Sequence, residues 1–174
     1  MLEALQRRSS DVWPAYREQL AANPDAISLP QSFIDNGWVR VAVADEHTPV
    51  GFSVVMQADV VVHELDGLFV DPAQMNSGFG RALVEDAARR SIAGGARYLE
   101  VTAGPARGFY ERVAFEVVGS AETRFGAAVR MRRDLRRADG GERWSTARSP
   151  GTPVPARITG SRPVGQPTPR TEAQ

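Results

Sequence analysis

Along residues 1–135 the apolar positions switch between helical spacing and strict alternation, and each switch coincides with turn chemistry. Leu2 and Leu5 keep helical spacing within residues 1–8. Ser9-Ser10-Asp11 then offers N-cap side chains for a second helix through Ala22, with Trp13, Tyr16 and Leu20 as its apolar stripe. Asn23-Pro24 stops that helix. Residues 38–43 alternate with period two, residues 45–49 turn the chain and residues 50–56 return, which predicts a hairpin. Residues 60–70 read as a third strand. A long amphipathic helix follows from about Gly78 to Ala93, with Phe79, Ala82, Leu83 and Ala87 on one face and Gly94-Gly95 at its end. Residues 97–102 form a fourth predicted strand, Pro105 opens a short helix through Val113, and residues 115–118 and 127–135 supply a last strand pair.

The pattern fades near Ala138. From there to Gln174 lie six of the 12 prolines and five of the 16 glycines, with Trp144 the only aromatic residue. Such a segment has too little apolar surface to offset its ordering entropy, so the expected organisation is one domain over 1–137 and a disordered tail over 138–174. The apolar fraction of 42% over 174 residues suits one domain with a sizeable core. The formal charge is zero, so no global field draws the chain to nucleic acid or to a membrane. There is no cysteine, and His47 and His63 do not make a metal site by themselves, so no metal is expected. No apolar run approaches the roughly 20 residues needed to span a bilayer, and a cytoplasmic location is expected. All 21 basic residues are arginine, which suggests a GC-rich bacterial coding sequence.

The candidate chemistry lies between the third strand and the long helix. In Asn76-Ser77-Gly78-Phe79-Gly80-Arg81, two glycines at a helix start let backbone N–H groups converge on an anion in the field of the helix dipole. Gly-x-Gly before a helix is by itself weak evidence for a diphosphate cradle. A Walker loop is excluded, because the chain has no lysine. A dinucleotide fingerprint fits poorly: Leu83 stands where a small residue is wanted, and Asp71 to Ser77 separate the glycines from the strand. Glu100 lies where a ribose-binding acid would, so that reading stays open.

A second segment, Ala106-Arg107-Gly108-Phe109-Tyr110-Glu111-Arg112-Val113-Ala114-Phe115, follows the fourth strand. With it, the chain resembles the GNAT superfamily of acyl-CoA N-acyltransferases over roughly residues 1–135. Leu65 to Pro72, leading into Met75 to Leu83, is similar to the family's fourth strand, turn and third helix. The resemblance implies an α/β (α+β) fold, with a mixed central sheet splayed between the family's fourth and fifth strands and helices on both faces. It implies acetyl transfer from acetyl-CoA to a primary amine by direct attack, and it assigns acetyl-CoA contacts to Leu68, Phe69, Val70, Met75, Asn76, Ser77, Gly78, Phe79, Gly80, Arg81, Ala106 and Phe109. Tyr110 resembles the family's general acid for the departing thiolate. Glu64 is the expected base, sharing a face with Asp66, Leu68 and Val70 by period two; Asp66 and Glu100 are its rivals, and His63 points the other way. The implied partner is a small-molecule or peptide amine, with a homodimer left open.

Several positions depart from the family pattern. Met75 replaces the frequent Arg or Gln, Asn76 a frequent glycine, and Ala114 the usual glycine; Ala103-Gly104 stands where an asparagine is common. No strand is predicted before the helix at Leu2, so the first family strand is expected to be missing and the edge of the next strand exposed. These departures keep alive an alternative, a CoA-binding module of the same fold with weakened turnover. The acceptor specificity is expected to come from the N-terminal helices and the last strand pair, including Trp13, Tyr16, Trp38 and residues 123–126.

Overall fold

The computed structural model describes residues 1–44 and 47–136 and the backbone of 157–159. Among the described residues five α-helices and seven strands succeed one another: α1 (Leu2–Asp11), α2 (Pro14–Ala22), α3 (Gln31–Asp35), β1 (Val39–Val43), β2 (Pro49–Gln57), β3 (Val62–Val70), α4 (Phe79–Ala93), β4 (Tyr98–Ala103), α5 (Arg107–Arg112), β5 (Glu116–Thr123), β6 (Gly126–Asp134) and β7 (Arg157–Thr159). They build one mixed sheet in the order β5-β6-β4-β3-β2-β1-β7. Every strand pair is antiparallel except β3 with β4.

Leu65, Val84, Ala87, Leu99, Met131 and Leu135 fill the core between the sheet and α4. On the opposite face Leu5 of α1 packs with Val39, Phe52 and Val54, covered by Phe33 and Trp38. Leu83 is fully buried, and truncating such a residue to alanine costs about 2–5 kcal/mol, so α4 is a rigid support for whatever its N-terminus holds. The helix begins after Gly78 at φ 90° and is closed by Gly95 at φ 88°, both left-handed positions that favour glycine.

Three local expectations change. Ser9, Ser10 and Asp11 do not cap the second helix: α1 continues through Asp11, and α2 starts instead at Pro14, whose fixed φ and missing N–H suit the first helical position. The short α3, which the spacing does not predict, brings Phe33 against Trp38 with ring centroids 5.2 Å apart. The third change is in β3. Val54 pairs with Gly67 but Val55 with Leu65, so Asp66 is an extra residue, a β-bulge. Period two therefore fails across it. Glu64, opposite Met56, lies on the α1 face with Phe69, while Leu68 and Val70 pack toward Phe79 and Leu83 of α4. The shared face expected for Glu64, Asp66, Leu68 and Val70 does not exist.

Of the expected disordered tail, residues 138–156 and 160–174 lie outside the described residues, as do Asp45 and Glu46 of the first hairpin turn. Arg157–Thr159 forms β7, antiparallel to β1 with Ala42 opposite Ile158. The β1 edge, expected to be bare, is thus paired over Val41–Val43.

Candidate active site

β3 and β4 pair only over Val62–Glu64 and Tyr98–Glu100. β4 then stays with β6 as far as Ala103 while β3 stays with β2 as far as Val70, so the sheet opens into a cleft between them. A cavity of about 240 Å³ occupies the opening, walled by β3, β4, α1, α2, α5 and the β5–β6 turn.

At one end stands the turn before α4. Asn76 has φ 63° and Gly78 φ 90°, two left-handed residues that swing the chain into the helix; Asn is among the side chains that tolerate this conformation. The first intrahelical bond here runs from Ala82 N–H to Gly78 C=O at 3.0 Å, and Gly78 supplies no side-chain cap. The N–H groups of Gly78, Phe79, Gly80 and Arg81 have no acceptor among the described residues, which is the condition for holding a phosphate there. Phe79 contributes only its backbone to that row, since its ring is buried with Val50 and Leu83. Ser77 N–H reaches Gln74 C=O at 3.4 Å, and Met75 N–H bonds Pro72 C=O at 3.3 Å, so these two donors point back into the turn. The second motif meets the first directly: a Cβ on Gly80 would lie 3.4 Å from the Phe109 ring of α5. The residue type that looked like a phosphate device is also a packing device.

The edge of β3 divides its backbone groups between neighbours. Asp71 N–H bonds Val50 C=O on β2 at 2.8 Å, and Val70 N–H bonds Ser9 Oγ of α1 at 3.2 Å. By strand alternation Phe69 faces β2 like Asp71, and Leu68 faces the cleft like Val70. Of the three residues expected to meet a pantetheine arm, Leu68 therefore presents both of its backbone groups to the cleft. Val70 presents its carbonyl there, with its N–H held by Ser9. Sequence reading missed Ser9, taking it for a cap. Arg8 explains its placement: Nε and Nη2 donate to Asp71 Oδ2 at 3.1 and 2.6 Å, which fastens α1 to the end of β3 and lowers the Asp71 pKa.

Tyr110 lies at the centre of the cavity wall, 7% exposed, with its ring against Phe109 (5.2 Å) and Phe115 (5.5 Å). Its hydroxyl has no hydrogen-bond partner among the described residues, and burial raises its pKa, with a smaller contribution from Tyr16. The phenol thus stays protonated at neutral pH. Ala106 caps α5 beside it and also lines the cavity.

The carboxylates separate by position. Asp66, the bulge residue, lines the cavity, and the surrounding walls raise its pKa by desolvation. Glu64 does not line it; its pKa is raised by burial first and then by Asp66 and Glu100. Glu100 accepts from Arg132 Nε at 2.7 Å and is held by that guanidinium. His63 lies on the α4 face, with Nδ1 3.1 Å from Ser91 Oγ.

The far end of the cavity is made by Trp13 at the N-cap of α2, Tyr16 and Leu20 of α2, Ile27 and Phe125. Tyr16 and Phe125 are in tilted contact at 5.6 Å, and Arg124 Nη1 bonds Asp25 Oδ2 at 3.0 Å, so the β5–β6 turn closes onto the α2 side. Gly104 leaves no room for a Cβ, because the Tyr16 hydroxyl lies against it. The absent family asparagine next to Ala103 thus coincides with a tyrosine reaching in from α2. Trp38, also expected at this end, packs on Phe33 instead.

A family model for an acetyltransferase (GNAT) domain matches residues 37–117. A peptidyl-lysine N-acetyltransferase, YjaB of Salmonella typhimurium, is 32% identical over 126 residues, covering 70% of this chain and 79% of that protein. Among solved structures, an aminoglycoside 6'-N-acetyltransferase complexed with coenzyme A superposes with a TM-score of 0.57 at 16% identity, covering 77% of this chain and 91% of the other. A GNAT family acetyltransferase from Elizabethkingia anophelis with acetyl-CoA bound gives 0.55 at 15% identity, over 67% and 87%. Those two likenesses concern the fold. The chain belongs to the GNAT acetyltransferase family and is an acyltransferase. Among the described residues no helix is long and apolar enough to cross a membrane.

Proposed function

We propose that this enzyme moves an acetyl group from acetyl-CoA to a primary amine by direct attack within the β3–β4 cleft. The observation that carries the reading is that Tyr110, a buried residue whose hydroxyl has no partner among the described residues, lines a cavity whose neighbouring helix start presents four N–H donors without a described acceptor. Gly78, Phe79, Gly80 and Arg81 hold the diphosphate through their backbone, with Met75, Asn76 and Ser77 shaping the turn. Leu68 N–H and C=O orient the arm, and the N–H is placed to stabilise negative charge on the thioester oxygen. Ala106 and Phe109 form the wall beside it.

When bound, acetyl-CoA supplies a thioester carbonyl to which the neutral amine adds: the C–N bond forms, the C–S bond breaks, and the sulfur leaves with the electron pair. Tyr110 gives its proton to that sulfur. The amine loses one proton on becoming an amide, and Asp66 receives it, its raised pKa making it a better base than an ordinary carboxylate. Asp66 is preferred over Glu64 for this role because it lines the cavity; Glu64 adds negative potential from beside it. The relative from Salmonella acetylates peptidyl-lysine, as its name states, so a lysine side chain is one acceptor to try. The test is calorimetry with acetyl-CoA together with thiol release in the presence of amines. Binding followed by amine-dependent release is expected; binding with no release across a broad amine panel would return the protein to a CoA-binding module.

A further inference from the structure

The acceptor end of the cavity has a composition that selects among amines. Among the described residues Asp66 is the one carboxylate that lines it, and no arginine does. Arg124 is held by Asp25, and the Arg17 guanidinium bonds Asp11 C=O at 2.7 Å. Gln6, Ser9 and Ser10 of α1 and Thr102 of β4 give the wall neutral polar groups, and its aromatic and branched apolar part includes Trp13, Tyr16, Leu20, Ile27 and Phe125, brought together from the start of α2, α2 itself, the following turn and the β5–β6 turn. Resting on the acetyl-transfer reading above, we propose that the acceptor is a small monoamine with an aromatic or branched apolar body, its amine at Asp66 and its body among Trp13, Tyr16, Leu20, Ile27 and Phe125.

Each competing class meets a specific mismatch. An α-amino acid would bring a carboxylate into a cavity where no described residue offers a cation to receive it, and would set it beside Asp66. An aminoglycoside carries several ammonium groups, of which one would find Asp66 while the others desolvated against Leu20 and Ile27. A lysine side chain fits by charge, but its slender stem leaves the aromatic wall without contact. An arylalkylamine satisfies both ends at once, since the ring stacks within the aromatic set and its single amino group, neutral when it attacks, meets the single carboxylate. Closure of the β5–β6 turn onto α2 limits the acceptor to something small enough to lie beneath the Tyr16–Phe125 contact.

The experiment is steady-state thiol release by the full chain with acetyl-CoA and a panel of phenethylamine, tryptamine, phenylalanine, a lysine-containing peptide and kanamycin. The arylalkylamines are expected to exceed phenylalanine in kcat/KM on the order of a hundredfold, and to exceed the peptide and kanamycin as well. Phe125→Ala, at an exposed hairpin turn that leaves the core intact, is expected to raise KM for phenethylamine about tenfold while KM for acetyl-CoA stays unchanged. Preference for the peptide, kanamycin or phenylalanine with normal acetyl-CoA binding would overturn the acceptor class and leave the acetyltransferase reading standing. An unchanged phenethylamine KM in Phe125→Ala would overturn the placement in this cavity. Absence of acetyl-CoA binding by calorimetry would remove the acetyltransferase reading, and this inference with it.

Discussion

The end of the cleft proposed for the cofactor offers backbone atoms, the N–H row at Gly78–Arg81 and the edge of β3 at Leu68, whereas the end proposed for the acceptor is a wall of side chains from two distant stretches, residues 13–27 and the β5–β6 turn. The first end rests on α4, whose buried face of Phe79, Leu83, Val84 and Ala87 fixes where the helix begins. The second rests on one aromatic contact and one exposed ion pair between α2, the following turn and β5–β6. Exposed ion pairs contribute little to stability, so this wall can be rebuilt by substitution without unfolding the protein. A backbone site tolerates changes of side chain and is broken by changes of conformation. A side-chain site behaves in the opposite way.

The largest expected effect falls where the two ends meet. Tyr110→Phe keeps the ring in place against Phe109 and Phe115 but removes the proton, and should lower kcat on the order of 10²-fold or more with acetyl-CoA affinity unchanged. If kcat stays within a factor of about two, the phenol is a packing residue and the acid lies elsewhere.

Next in size is a conformational change at the cofactor end. Nothing lies within 4 Å of a Cβ built on Gly78, so the strain in Gly78→Val comes from φ 90° alone. A cost of about 1–3 kcal/mol, paid by re-aiming the N–H row, weakens acetyl-CoA binding by roughly ten- to a hundredfold in calorimetry. Equal binding by variant and parent would mean that side chains, and not these amides, hold the diphosphate.

A smaller effect separates the carboxylates. Since burial raises the Asp66 pKa, its ionised, proton-accepting form is lost as pH falls through a value above the ordinary carboxylate range. The acid limb of kcat/KM should accordingly lie at unusually high pH. Asp66→Asn should remove that limb, while Glu64→Gln should only move it toward lower pH by taking away a neighbouring charge. The reverse pattern would transfer the base role to Glu64. Tyr110, whose pKa moves upward, should contribute no alkaline limb within the ordinary tyrosine range.

The smallest effect is on stability. Ala114 adopts φ 66°, where a Cβ is strained, so Ala114→Gly should stabilise the fold by about 1 kcal/mol. Thermal denaturation would register this as a rise of roughly 2–4 °C. No change in activity should accompany it, because Ala114 lies past the end of α5 and outside the cavity lining.

The backbone geometry of the turn before α4 and of α5 was largely legible in the chain because its determinants are local. Glycines at a helix start, an alternating strand before them and the Phe109-Tyr110 pair after β4 each encode their own geometry within a few residues. The positive φ of Ala114, where the family usually has glycine, is likewise a local property. What escaped was non-local. The bulge at Asp66 arises from the pairing of β3 with β2 and moves Glu64 to a different face from Leu68; no period-two count within one strand can register it. Ser9 looked like a helix cap, and only the packing of α1 against β3 turns its hydroxyl toward Val70 N–H. Trp13, Tyr16 and residues 123–126 could be named as acceptor candidates from the resemblance. That Tyr16 lies over Gly104 and against Phe125 depends on how α2 and a hairpin 100 residues away close on one another. The sequence by itself therefore determined the helix that follows the glycine turn and the position of Tyr110 after β4. Tertiary structure alone decided which carboxylate enters the cavity and what the amine meets there, because both depend on register and docking between segments that share no local signal.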